Sequence, residues 1–146
     1  MNAKILRIKD LIKNYTIETT PKIYEKIGGL SDLVEKRTSV YITYLPEEDP
    51  IRIINTAKKI KNEGLEPIPH LPARTIENLN ALENYIGNLS EIANTKQILI
   101  IGGTGIQKGP ISSSLEVLHS GLLEKFRFKK VGLAGHPDGS PDISQE

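Results

Sequence analysis

The sequence predicts an α/β protein built from parallel βα units, on three observations. Five short runs rich in β-branched and apolar residues recur along the chain. Their central residues, Ile17, Ile42, Ile68, Ile100 and Leu133, lie 25, 26, 32 and 33 positions apart, room for one helix and two loops each time. The segments between them carry apolar residues at helical spacing, with start and stop signals at their ends.

Taken in order, Met1–Asn14 alternates Lys and Arg with Ile and Leu and predicts a leading helix. Tyr15–Thr19 is the first strand. Ile23, Ile27, Leu30 and Val34 follow at helical spacing, interrupted by Gly28-Gly29, so this helix is expected to be kinked or split. Val40–Leu45 is the second strand. Asp49-Pro50 is a cap followed by Pro at the first helical position; Ile51, Ile54, Ala57 and Lys61 share a face, and Gly64 closes the helix. Glu66–Leu71 is the third strand. Thr75 is expected to cap a helix carrying Ile76, Leu79, Leu82 and Ile86, with Gly87 after it. Gln97–Ile101 is the fourth strand, and Ser113-x-x-Glu116 reads as a capping box opening a helix with Leu115, Leu118 and Leu122. Lys130–Ala134 is the fifth strand, and His136–Glu146 reads as loop. Residues 1–146 form one domain without a low-complexity linker.

Two architectures accommodate this order. An open doubly wound sheet is complete with five strands. A (β/α)₈ TIM barrel needs about 250 residues, so under that reading these 146 residues stop after the fifth strand.

Composition bounds the function. With 38% hydrophobic and 25% charged residues the chain has an average soluble profile. Lys and Arg number 19 against 18 Asp and Glu, a net charge of +1 with no run of five like charges, which argues against nucleic-acid or membrane partners. The N-terminus lacks the apolar run of a signal peptide, so a cytoplasmic location is expected. Zero cysteines exclude a disulfide framework and a thiol nucleophile, and three histidines without an HxxxH pair make a metal enzyme unexpected.

In both architectures ligands bind at the carboxyl ends of the strands. The polar residues there are Glu18, Thr43 with Tyr44, His70, the loop Gly102-Gly103-Thr104-Gly105, and His136. A carboxylate at a strand end can be tuned for proton transfer, or can simply pair with Lys22. His70, between Pro69 and Leu71-Pro72, can donate to a ring ligand or be satisfied by a carbonyl. The Gly-rich loop lacks GxGxxG and GxxxxGK[ST] spacing, which disfavours a dinucleotide fingerprint, yet its glycines allow a flat ligand to approach the backbone. Ser112, Ser113 and Ser114 at the following helix start can hold a phosphate but have capping as their default role, His136–Pro141 reads as a turn, and His119 as a surface residue.

The segments Tyr15-Thr-Ile-Glu18-Thr-Thr-Pro-Lys22, Val40-Tyr-Ile-Thr43-Tyr44, Pro69-His70-Leu71 and Gly132-Leu-Ala-Gly-His136-Pro-Asp-Gly-Ser140-Pro141 resemble, in order and spacing, the strand-end motifs of methylenetetrahydrofolate reductases. The resemblance spans Tyr15 to Glu146 and implies the TIM barrel over the open sheet. It implies FAD as cofactor, NADH or NADPH as hydride donor or acceptor, and a folate as substrate. Glu18 matches the general acid toward the folate ring nitrogen, Thr43 and Tyr44 a pair contacting nicotinamide and flavin, and His70 a flavin-contacting histidine. Ser112 falls where the family's fourth helix approaches the cofactor, and His136 and Ser140 fall in the loop that holds the flavin's phosphate and adenosine side, with substitutions. Where many members carry Arg-Gly-Asp, this chain has Gly102-Gly103-Thr104, without the cation or the carboxylate.

The function so implied is a flavoprotein oxidoreductase of one-carbon metabolism, interconverting 5,10-methylenetetrahydrofolate and 5-methyltetrahydrofolate on the route to methionine biosynthesis. Its partner is a small-molecule folate, with self-association into a homo-oligomer left open. The competing expectations are a folate- or flavin-binding relative without turnover, an incomplete inactive fragment, and a five-strand phosphoryl-binding or regulatory module with no redox role.

Overall fold

The computed structural model describes residues 12–104 and 106–135. They form an α/β fold with one five-stranded, all-parallel sheet: β1 (Thr16–Thr19), β2 (Ser39–Ile42), β3 (Glu66–Pro72), β4 (Gln97–Ile101) and β5 (Lys130–Leu133). The helices between them are α1 (Pro21–Ile27), α2 (Pro50–Asn62), α3 (Leu79–Glu91), α4 (Ser114–His119) and α5 (Leu122–Lys125). Strand order in space is the order in sequence, so the sheet has no point at which the winding reverses, and β1 and β5 are its open edges among the described residues. All five expected strands are present, the second ending at Ile42 rather than Leu45. The leading helix of residues 1–14 lies outside the described residues except for Ile12–Asn14, which form a turn.

Local chemistry sets most boundaries. Thr20 accepts from the Ile23 backbone N–H to start α1, and Gly28, at φ 82, ends it in the left-handed region that the expected break needs. Asp49 caps α2 through the Ile51 N–H, with Pro50 in the first turn. The start of α3 differs from expectation. Ala73–Thr75 makes a short 3₁₀ turn, and Asn78, not Thr75, caps the helix by accepting from the Ala81 N–H. Thr75 instead donates to the Pro72 carbonyl at 2.8 Å. Gly87 is not a stop but an interior residue of α3, where a Cβ would meet the Phe126 ring at 3.1 Å. Only half of the expected capping box forms. Ser113 accepts from the Glu116 N–H, while the Glu116 carboxylate takes both the backbone and the hydroxyl of Ser112. That helix is split into α4 and α5 by Gly121 at φ 71.

Side chains alternate across the sheet, and the register shows what each face carries. One face supplies Val40, Ile42, Leu71, Ile98 and Ile100 to a core completed by Ile53, Ala57 and Ile60 of α2 and Leu82, Ile86 and Leu89 of α3. Ile51, Leu79 and Leu115, read as core from periodicity, are exposed; their helices bury Ile53 and Ile60 of α2, Tyr85 and Leu89 of α3, and Val117 of α4 instead. On the opposite face Glu18 stands beside Tyr41, Tyr41 beside Ile68, and His70 beside Leu99. That face carries the candidate site.

Candidate functional site

The central strand β3 spends three of its seven residues on proline, and Pro67, Pro69 and Pro72 have no N–H for a ladder. Consequently β3 pairs with β2 through Glu66–Pro69 and with β4 through His70–Pro72, changing partner at the Pro69–His70 step. At that step the Tyr85 hydroxyl, from α3, donates to the His70 carbonyl at 2.9 Å.

On the other side of the backbone the His70 ring enters a cleft of about 480 Å³ lined by Thr16, Ile17, Glu18, Tyr41, His70, Leu99, Leu133 and Ala134. The volume falls within the range of small-molecule sites. His70 is only 8% exposed, and its Nε2 is buried without a hydrogen-bond partner among the described residues. Its ring stands edge-on to Tyr41, centroids 6.0 Å apart at 67°. Burial lowers the His70 pKa below the ordinary imidazole value, and the negative charge of Glu18 pulls it partly back. At neutral pH the ring is therefore uncharged, with one nitrogen a donor and the other an acceptor.

Glu18 lies at the carboxyl end of β1. Its partner is the Thr43 hydroxyl, which donates to Glu18 Oε1 at 2.5 Å, not Lys22. Thr43 is held there because its own N–H continues the β1–β2 ladder to the Thr19 carbonyl at 2.9 Å. Glu18 is exposed, so the carboxylate faces solvent at the cleft's edge.

The remaining expected residues divide. Tyr44, next in sequence to Thr43, packs on the helix side, edge-on to Tyr85 at 5.9 Å. Its hydroxyl is pushed up to about 12 by burial and by the charges of Asp49 and Glu48. Gly102 accepts from the Arg74 N–H at 3.0 Å, and Gly103, at φ 85, lies so close to Pro72 that a Cβ would be 2.9 Å from the Pro72 Cβ. The Gly-rich loop thus folds down onto the turn after β3, and the next helix begins only at Ser114. Thr104 is exposed and lines a different cleft of about 350 Å³, with Pro46, Glu47, Thr75, Ile106 and Lys108. The backbone and hydroxyl of Ser112 are taken by Glu116, and its carbonyl accepts from Arg74 Nε. These two donors from Ser112 lower the Glu116 pKa. His119 is exposed at the end of α4. Gly105, His136 and Ser140 lie outside the described residues.

The structure therefore brings together Glu18, Thr43 and His70, and adds Tyr41, Thr16 and Leu99. In the sequence these three read only as strand residues; alternation from Glu18 reaches Thr16 and alternation from Thr43 reaches Tyr41, whereas Leu99 enters through its pairing with His70. Among the described residues no group of three or more His, Cys, Asp or Glu is placed to hold a metal, and no helix is long and apolar enough to cross a membrane. No family model matches the chain.

Proposed function

We propose that the protein is a flavin-dependent oxidoreductase of the methylenetetrahydrofolate reductase family, using FAD and NADH or NADPH on a folate. One observation carries the proposal: a strand-end carboxylate and a buried histidine with a free ring nitrogen share one cleft on the face of a parallel sheet. The sequential strand order, with the helical core on the opposite face, suits a sector of a (β/α)₈ barrel, whose ligands sit at the carboxyl ends of the strands.

The residues present fit a flavin ring. His70 lines the cleft and its Nε2 is buried without a partner, so a turn of the ring toward the cleft would let a heteroaromatic edge satisfy it, and the Tyr41 ring and Leu99 give a largely apolar wall for a flat ligand. A bound flavin would supply the hydride chemistry. His70 would orient the ring through Nε2, and Thr43, by donating to Glu18 Oε1, would leave Oε2 to deliver a proton to a substrate nitrogen.

A second reading, a flavin- or folate-binding relative without turnover, is favoured by the solvent exposure of Glu18, since a general acid is usually sheltered. Quenching of FAD fluorescence by the wild-type protein, lost in Leu99→Trp, which fills the cleft from a half-buried position, tests flavin binding. Absence of FAD quenching at high protein concentration refutes the first reading and the flavin-binding form of the second; absence of folate binding in a parallel titration refutes the rest of the second. Bleaching of bound flavin by NAD(P)H, followed by folate turnover lost in Glu18→Gln, separates the first from the second.

A further inference from the structure

We propose that Tyr85 is a positioning residue for the cleft, acting through the backbone of the sheet: its hydroxyl fixes the His70 carbonyl, and thereby the direction in which the His70 ring is presented on the opposite face. The inference rests on the flavin reading only for the identity of the ligand.

Four observations combine. First, Tyr85 is fully enclosed in the helical core, where a hydroxyl needs a partner, and the partner it has is the carbonyl of the cleft residue. Second, that bond falls at the residue where β3 changes pairing from β2 to β4. Prolines on both sides of this stretch, Pro69 and Pro72, remove backbone donors that would otherwise anchor the strand. Third, the His70 ring makes no hydrogen bond at Nε2, so it is oriented by packing, including the edge-on Tyr41, and by the backbone from which it projects. Fourth, Tyr85 is braced by the edge-on ring of Tyr44, which follows the residue that bonds Glu18. Tyr44, Tyr85 and His70 thus connect the end of β2 to the cleft through contacts on the helix side. Tyr85 touches no ligand in this arrangement; it sets the angle of a group that does.

The expected result of Tyr85→Phe is a folded protein whose His70 ring ¹⁵N resonances move and whose imidazole tautomer ratio changes, because the ring loses its fixed backbone. FAD affinity should weaken roughly tenfold, the size of one neutral hydrogen bond. His70→Ala should weaken FAD at least as much and make Tyr85→Phe silent when the two are combined. Replacing Tyr85 with 4-aminophenylalanine, which keeps an N–H donor at the same place, should restore the wild-type His70 resonances. The 4-methyl analogue, of equal bulk and without a donor, should not, and this isosteric pair carries the comparison if Tyr85→Phe fails to fold. His70 resonances that stay at wild-type positions in the folded donor-less variants overturn the proposal. If the wild-type protein binds no FAD, the flavin reading fails by itself, and the resonances still decide the role of Tyr85.

Discussion

Glu63 offers a perturbation whose size can be worked from the structure. Its carboxylate sits just past the end of α2 and takes three donors: the Tyr24 hydroxyl from α1, the Leu30 N–H at 2.7 Å and the Ser31 N–H at 2.9 Å. It therefore ties the loop after α1 to the end of α2. Gly29, at φ 134, lies where a Cβ would come within 3.3 Å of Glu63 Oε1. A hydrogen bond to a charged group contributes about 1.5–3 kcal/mol net. Glu63 is half-buried and Ser31 exposed, so the lower end applies and water recovers the Ser31 donor. Two bonds at about 1.5 kcal/mol give about 3 kcal/mol for Glu63→Ala. For a domain near this size that lowers Tm by about 6–12 °C. Glu63→Gln keeps an oxygen for the two backbone donors but sets an NH2 in place of the oxygen that accepts from Tyr24, so it loses the charge assistance and that acceptor and should fall between wild type and Glu63→Ala. Urea unfolding followed by circular dichroism should show these shifts in midpoint at constant slope. A double-mutant cycle with Tyr24→Phe should return a coupling of about 1.5 kcal/mol. If Glu63→Ala costs less than about 1 kcal/mol, or the coupling is nil, the bonds to Glu63 do not carry the stability assigned to them.

The other expected outcomes concern pH and the rim. Because burial lowers the His70 pKa in the folded state, the unfolded chain binds the extra proton between that value and about 6.5. The stability due to neutral His70 is then complete above about pH 6.5 and falls as pH drops through the window, a slope that His70→Gln should flatten in urea midpoints taken from neutral to acid pH. At the alkaline end the hydroxyls of Tyr24, Tyr44 and Tyr85 are all raised, chiefly by burial, so their contribution is whole below about pH 10 and is lost as pH rises beyond it. Tyrosinate absorbance should accordingly appear together with unfolding for these three; ionisation of all tyrosines in the folded protein would contradict the burial. In the loop after β4, a Cβ at Gly109 would lie 2.2 Å from the Glu77 carbonyl oxygen and 2.4 Å from that of Ile76. Gly109→Ala should lift the loop, break the Lys108 N–H to Arg74 carbonyl bond, cost about 1–3 kcal/mol and speed proteolytic nicking there; unchanged nicking would show that the loop absorbs the methyl.

The strands were legible because a parallel sheet demands a crossover between neighbours, and that spacing survives in the positions of Ile17, Ile42, Ile68, Ile100 and Leu133. Caps made by side chains inside the same few residues were legible too, as at Asp49 and Ser113. Features set by distant residues were not. Gly87 reads as a helix stop, yet it continues α3 because the Phe126 ring, 39 positions on, needs the space a side chain would fill. Thr75 and Asn78 are both competent caps, and only the 3₁₀ turn that Pro72 begins decides between them. Likewise Ile51 and Ile53 both satisfy a helical stripe, and the choice of Ile53 follows from where α2 lies on the sheet.

The same physics separates Thr43 from Tyr44. Adjacent residues at the end of an extended strand point to opposite faces, so once Thr43 turns to Glu18, its neighbour is carried to the other side, where Tyr85 receives it. A motif match reads both as one site, since it reads spacing along the chain and not the face. Tyr41 escaped notice for the converse reason. It is an apolar-looking residue within a strand, and only its parity with Thr43 places it beside His70. The two faces are nevertheless not independent. Tyr44 and Tyr85 meet on the helix side, and the Tyr85 hydroxyl reaches the His70 carbonyl, so a change in the packing of the core is transmitted to the cleft across a single layer of backbone. In a sheet whose central strand has given up backbone donors to three prolines, a side chain from the core gives that strand a further hydrogen bond by donating to one of its carbonyls.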